Sequence, residues 1–91
     1  MNNTEIDQYR SHFKSDLARL IGCEPDSIPA SVSKDIAVKF LGLKNEKTLN
    51  VWSSAGRHGI VMIKVGKVTQ PSTQWLIDLK LAGIKTAGEA A

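Results

Sequence analysis

Ser33–Trp75 reads SKDIAVKFLGLKNEKTLNVWSSAGRHGIVMIKVGKVTQPSTQW. The punctuation of this stretch decides the fold. The Ser33 hydroxyl can satisfy the free amides of a first helical turn, Ile36, Ala37, Phe40 and Leu41 follow at helical spacing, and Gly42 supplies a left-handed stop. Leu43-Lys44-Asn45 then makes a turn, and Asn45 is placed to cap a helix from Glu46 to Ala55. Leu49 and Trp52 face inward on that helix, small Ala37 lets the two helices approach closely, and Lys47, Asn50, Ser53 and Ser54 are left to face outward.

Downstream, Gly56 and Gly59 bracket Arg57-His58, after which Ile60–Val65 is rich in β-branched residues and too short for a helix. Gly66-Lys67 makes a tight reversal with a basic tip, Val68-Thr69-Gln70 returns as a second strand, and Pro71 stops it. Ser72 or Thr73 caps a last helix with Trp75, Leu76, Leu79 and Ala82 on one side. Gly83 ends that helix and leaves residues 84–91 as a mobile small-residue tail. Upstream, Ile6, Tyr9, Phe13, Leu17, Leu20 and Ile21 mark an amphipathic helix over residues 5–21, capped by Thr4 with Asp7 three positions on and stopped at Gly22. Pro25 and Pro29 make the connection to Ser31 a loop. The expected fold is therefore mainly α with a small β-hairpin. It is a single domain over residues 1–91, a winged helix-turn-helix core at 32–83 preceded by an extra N-terminal helix.

Composition narrows the function classes. A chain of 91 residues, 42% hydrophobic, suffices for one compact domain. It has no apolar run of about 18 residues and no basic-then-apolar leader, so neither a membrane partner nor export is expected, and the expected location is cytoplasmic. Cys23 is the only cysteine, which excludes an internal disulfide and a thiolate cluster for zinc. His12 and His58 are the only histidines, and no nucleophile–base spacing, phosphate-cradling glycine loop or metal motif accompanies them; an enzyme is not expected, nor any cofactor. The net charge of +3 is unevenly spread: residues 1–31 hold 3 basic against 5 acidic residues (3 − 5 = −2), and residues 32–91 hold 9 against 4 (9 − 4 = +5).

The basic part thus coincides with the helix-turn-helix, and double-stranded DNA is the partner that combination favours. A helix fits the major groove, where Asn and Lys read purine edges, while flanking cations neutralise phosphates. The candidate DNA-binding residues are Lys47, Asn50, Ser53 and Ser54 on the second helix, Lys44 and Asn45 at its start, and Arg57, His58, Lys64 and Lys67 in the wing. Asn45 is first a cap, and Arg57 has a local reason to follow a helix C-terminus, where the dipole favours a cation. Trp52 and Trp75 lie in apolar helical stripes and read as core, not as platforms for single-stranded bases.

Ser33, Ala37-Val38, Leu41-Gly42, Thr48-Leu49, Trp52, Gly56-Arg57, Lys64-Val65-Gly66-Lys67 and Pro71, in this order and spacing, resemble the DNA-binding domains of the MerR-like and phage excisionase superfamily over residues 32–80. The chain departs from that pattern in two places. The turn Leu43–Lys47 is one residue longer, and Val51 stands where many relatives carry Arg, which shifts the phosphate contact onto Asn50, Lys47 or Arg57. The resemblance implies a phage or mobile-element excisionase, or recombination directionality factor, that binds and bends attachment-site DNA alongside an integrase or recombinase and self-associates on DNA. It carries none of the long heptad helices that dimerise full-length MerR regulators. Two alternatives stay open: a winged-helix transcriptional regulator, repressor or activator, binding an operator, and a protein-interaction module without DNA binding that grips its partner through the fold or the acidic N-terminal helix.

Overall fold

The computed structural model of the chain describes the backbone of residues 3–89 and the side chains of residues 4–83. Helix α1 spans Asn3–Ile21, and a single 3₁₀ turn at Pro25–Ser27 leads toward α2, Lys34–Leu41. Helix α3, Lys47–Ala55, is followed by a second 3₁₀ turn at Arg57–Gly59, the strands β1, Met62–Val65, and β2, Val68–Pro71, and the closing helix α4, Thr73–Glu89. The fold is mainly α with a small β-hairpin, in the order of a winged helix-turn-helix preceded by one helix.

Local chemistry accounts for most boundaries. The Ser33 hydroxyl accepts the Ile36 amide at 3.3 Å, and Gly42 closes α2 with φ 73°, a left-handed conformation that costs an L side chain about 1–2 kcal/mol. Asn45 Oδ1 accepts the Lys47 amide at 2.9 Å, and α3 starts at Lys47, one residue later than expected. Glu46 has φ −71° and ψ −17° and its carbonyl accepts the Asn50 amide, so it is the half-in residue at the entrance to α3. In the hairpin Val65 faces Val68 across Gly66-Lys67, and Gly66, with φ 63°, supplies the positive φ that a two-residue reversal needs.

Four other boundaries differ from expectation. Helix α1 begins at Asn3, so Thr4 lies inside it and does not cap it; Asn and Thr are indifferent helix residues that a neighbouring turn readily recruits. Strand β1 starts at Met62, not Ile60, because the 3₁₀ turn through Gly59 delays the entry into the ladder. Pro71 belongs to β2, opposite Met62, and pairing goes on past it: the Ser72 amide donates to the Val61 carbonyl at 2.9 Å. The Pro71 ring removes only its own N–H, while its carbonyl accepts the Val32 amide at 3.2 Å. Gly83 does not end α4, which continues to Glu89. A helical glycine costs about 1 kcal/mol relative to Ala, too little to stop a helix with apolar and long side chains around it. Residues 84–89, expected as tail, are therefore helical, and 90–91 lie outside the described residues.

The loop expected before Ser33 is stitched to the strand–helix junction. Ser31 bridges Ser72, and the Ser31 hydroxyl donates to Gln70 Oε1 at 3.0 Å. The Thr73 amide donates to the Ala30 carbonyl at 2.9 Å and its hydroxyl to the Pro29 carbonyl at 2.7 Å. Ser72 also caps α4 by accepting the Trp75 amide at 3.3 Å.

Burial joins the elements into one core of Leu17, Val32, Ala37, Phe40, Leu49, Trp75, Leu76 and Ile77. Leu17, Leu49 and Leu76 are fully enclosed, each contributing about 1.5–3 kcal/mol relative to an exposed side chain. The N-terminal helix is thus part of the domain: α1 packs on α2 and α4 through Leu17 and Ala18, with Phe13 edge-on to Phe40 at 6.4 Å. Two members of its expected apolar stripe, Tyr9 and Leu20, remain exposed because the interface uses a narrower arc of the helix. On α4, Ile77 is buried, whereas Ala82, expected on the inner side, is exposed; Leu79 is half-buried. Among the described residues no helix is long and apolar enough to cross a membrane.

Candidate nucleic-acid interface

Helix α3 is held by one edge, and this leaves its other face open. Leu49 is fully buried and Trp52 half-buried, whereas Lys47, Asn50, Val51, Ser53 and Ser54 are exposed. Lys47, Asn50 and Ser54 follow one another at intervals of three and four residues and so lie along one stripe, with Val51 and Ala55 in a second stripe beside it. Asn50, Val51, Ser54 and Ala55 line a shallow, open hollow. Val51 is 54% exposed and presents an apolar surface beside the Lys47–Asn50–Ser54 stripe.

The inner edge is locked by an aromatic cluster. Trp52 lies edge-on to Trp75 with centroids 6.3 Å apart, and the His58 ring rests on Trp52 at 4.4 Å. Trp75 Nε1 donates to the His58 carbonyl at 2.9 Å. His58 itself sits at φ 57° and ψ 22°, the left-handed region. The turn between α3 and β1 is therefore pinned to α4 through its backbone, and among the candidates His58 has a structural role as well as an exposed position. The spacing of the histidine and tryptophans carries no signal for this hydrogen bond, since it joins residues 17 apart through a main-chain oxygen.

All the expected DNA-binding residues are exposed: Lys44 and Asn45 before α3, Lys47, Asn50, Ser53 and Ser54 on it, Arg57 and His58 in the turn, and Lys64 and Lys67 on the hairpin. Asn45 Oδ1 is occupied as a cap, which limits its use as a reader. Elsewhere on the molecule Arg10 pairs with Asp78 at 3.2 Å, Lys39 with Asp35 at 3.5 Å, and Arg19 approaches Asp16 at 4.0 Å, while Lys80 lies over the Phe13 and Phe40 rings and Lys14 and Lys34 have no carboxylate partner among the described residues. Among the described residues no carboxylate pairs with Lys44, Lys47, Arg57, Lys64 or Lys67. The hairpin tip also carries Val65 and Val68, 50% and 57% exposed, on either side of Gly66-Lys67.

The structure adds one residue that the sequence pattern does not single out. Lys34, the first residue of α2, reaches across to α3 and donates from Nζ to Asn50 Oδ1 at 2.8 Å. The hydrogen bond spans 16 residues and depends on how the two helices cross, so no local pattern encodes it. Among the described residues no group of three or more His, Cys, Asp or Glu side chains is arranged to hold a metal ion. No family model, curated protein or solved structure matches this chain, so the reading of the interface rests on its own residues.

Proposed function

We propose that this chain is a small cytoplasmic DNA-binding protein of a phage or mobile element that acts architecturally, as an excisionase or recombination directionality factor, without chemistry of its own. The observation that carries the reading is the run of exposed cations without acidic partners along the α2–α3 turn, α3 and the hairpin. Among the described residues, Lys44, Lys47, Arg57, Lys64 and Lys67 have no protein carboxylate; Arg10, Arg19 and Lys39 do, and Lys14, Lys34 and Lys80 do not. Surface ion pairs contribute little to stability, so cations left unpaired cost the fold little and remain available for phosphates. The exposed stripe of Lys47, Asn50 and Ser54 on a helix buried only along its other edge supports insertion into a major groove. The narrower assignment to excision rests on the family resemblance over residues 32–80. An operator-binding regulator would use the same face.

Two measurements test the reading. Fluorescence anisotropy with a generic duplex is expected to show binding that falls with salt at a slope of about −4 to −5, as about four to six phosphate contacts give. Absence of binding at low salt would overturn it in favour of a protein partner. Excision from a supercoiled plasmid by the cognate integrase is expected to need the protein. Excision without it, with a nearby promoter responding to it, would instead identify a transcriptional regulator.

A further inference from the structure

We propose that Lys34 sets which base Asn50 reads, and that the pair selects guanine over adenine at one position of the major groove; the inference rests on the DNA-binding reading above. An ammonium has three N–H donors and no acceptor, so the Asn50 atom 2.8 Å from Lys34 Nζ is the amide oxygen. With that oxygen engaged, the group Asn50 has left to offer is its NH₂, on an exposed residue of the stripe between Lys47 and Ser54.

The consequence is a donor-only reading head. Guanine offers two acceptors, N7 and O6, at its major-groove edge, and the Asn50 NH₂ is a donor that matches them. Adenine offers N7 but sets an N6 donor beside it, and the bidentate Asn–adenine pair needs the amide oxygen as acceptor. That oxygen retains a second lone pair. Using it would bring the adenine N6 donor against the ammonium of Lys34, donor to donor.

The position of Lys34 supports a purpose beyond surface charge. It occupies the first residue of α2, the end where the helix dipole disfavours a cation. Asp35, its immediate neighbour, is committed to Lys39 at 3.5 Å, so Lys34 is not drawn to a carboxylate and keeps its charge at the edge of α3. Lys34 is a positioning residue for Asn50, and Asn50 is the reader.

Selection of binding sites from a randomised duplex library by the full chain tests this. The wild type is expected to enrich a motif with a guanine at a position that loses its preference in Asn50→Ala. Lys34→Met should relax or convert that position to adenine, with about a tenfold loss of guanine preference and the rest of the motif unaltered, whereas Lys34→Arg should keep guanine. A wild-type motif whose Asn50-dependent position is adenine, or one that Lys34→Met leaves unchanged, overturns the inference while DNA binding stands. A library that the wild type does not retain even at low salt overturns both.

Discussion

His58 offers a direct probe of how the turn behind α3 is built. Its backbone is left-handed, at φ 57° and ψ 22°, which costs an L residue about 1–2 kcal/mol. Its ring lies 4.4 Å from that of Trp52, an interaction worth about 0.5–1.5 kcal/mol. Its carbonyl, which accepts the Trp75 indole N–H, is retained whatever the side chain. His58→Ala removes the ring interaction and keeps the strained backbone, so it should destabilise by about 1 kcal/mol. His58→Gly removes both, and relief of the backbone strain offsets the missing ring interaction, leaving stability near that of the wild type. His58→Asn should fall between them, because Asn tolerates the left-handed region better than Ala. Urea unfolding followed by tryptophan fluorescence reports the order, since both tryptophans adjoin this turn. The thermal midpoints of the Ala and Gly variants should differ by about 4–8 °C. Equal stability of His58→Ala and His58→Gly would refute the reasoning, because it would mean that no left-handed backbone is held at this position.

Leu49→Ala should cost about 3 kcal/mol, since the side chain is wholly enclosed between α3 and the core; a shift of the urea midpoint worth less than about 1 kcal/mol would show that α3 is not packed through this residue. Gly83→Ala should stabilise by about 1 kcal/mol, because a Cβ built there meets nothing within 4 Å and the residue lies inside α4; destabilisation in thermal unfolding would mean that Gly83 is a left-handed stop after all. On duplex DNA, Lys67→Ala should weaken all sequences alike and reduce the salt slope by about 1, whereas Lys47→Ala with Asn50→Ala should reduce discrimination between sites. Equal, small effects from all of these in anisotropy titrations would remove α3 as the reading element.

Much of the candidate interface is legible in the sequence because its residue types are exposed for local reasons. Lys47, Asn50 and Ser54 fall away from Leu49 and Trp52 by helical periodicity alone, whereas Ser53, four residues after Leu49, is exposed at the edge of the packed side; Gly66-Lys67 marks a hairpin tip by its need for a positive φ. Charge pairing is another matter. That Lys39 has an acid and Lys47 has none follows from the presence of Asp35 one helical turn away and the lack, among the described residues, of a carboxylate paired on α3's outer face. The first part is readable from spacing, and the second needs the arrangement of every neighbouring element.

The sequence by itself determined the helix-turn-helix, the hairpin and their junctions, because Ser33, Gly42, Asn45 and Gly66 act on backbone groups within a few residues of themselves. Tertiary structure decided what lies beyond that range. It draws residues 29–32 alongside 70–73, anchors the His58 carbonyl to the Trp75 indole, and brings Lys34 to Asn50. It also carries α4 through Gly83 and leaves Tyr9 and Leu20 outside the core that their spacing suggests. Capping and turn energies are local and additive along the chain. Which donor meets which acceptor across 16 to 44 residues depends on helix crossing and on competition for a finite core, and no single segment contains that information.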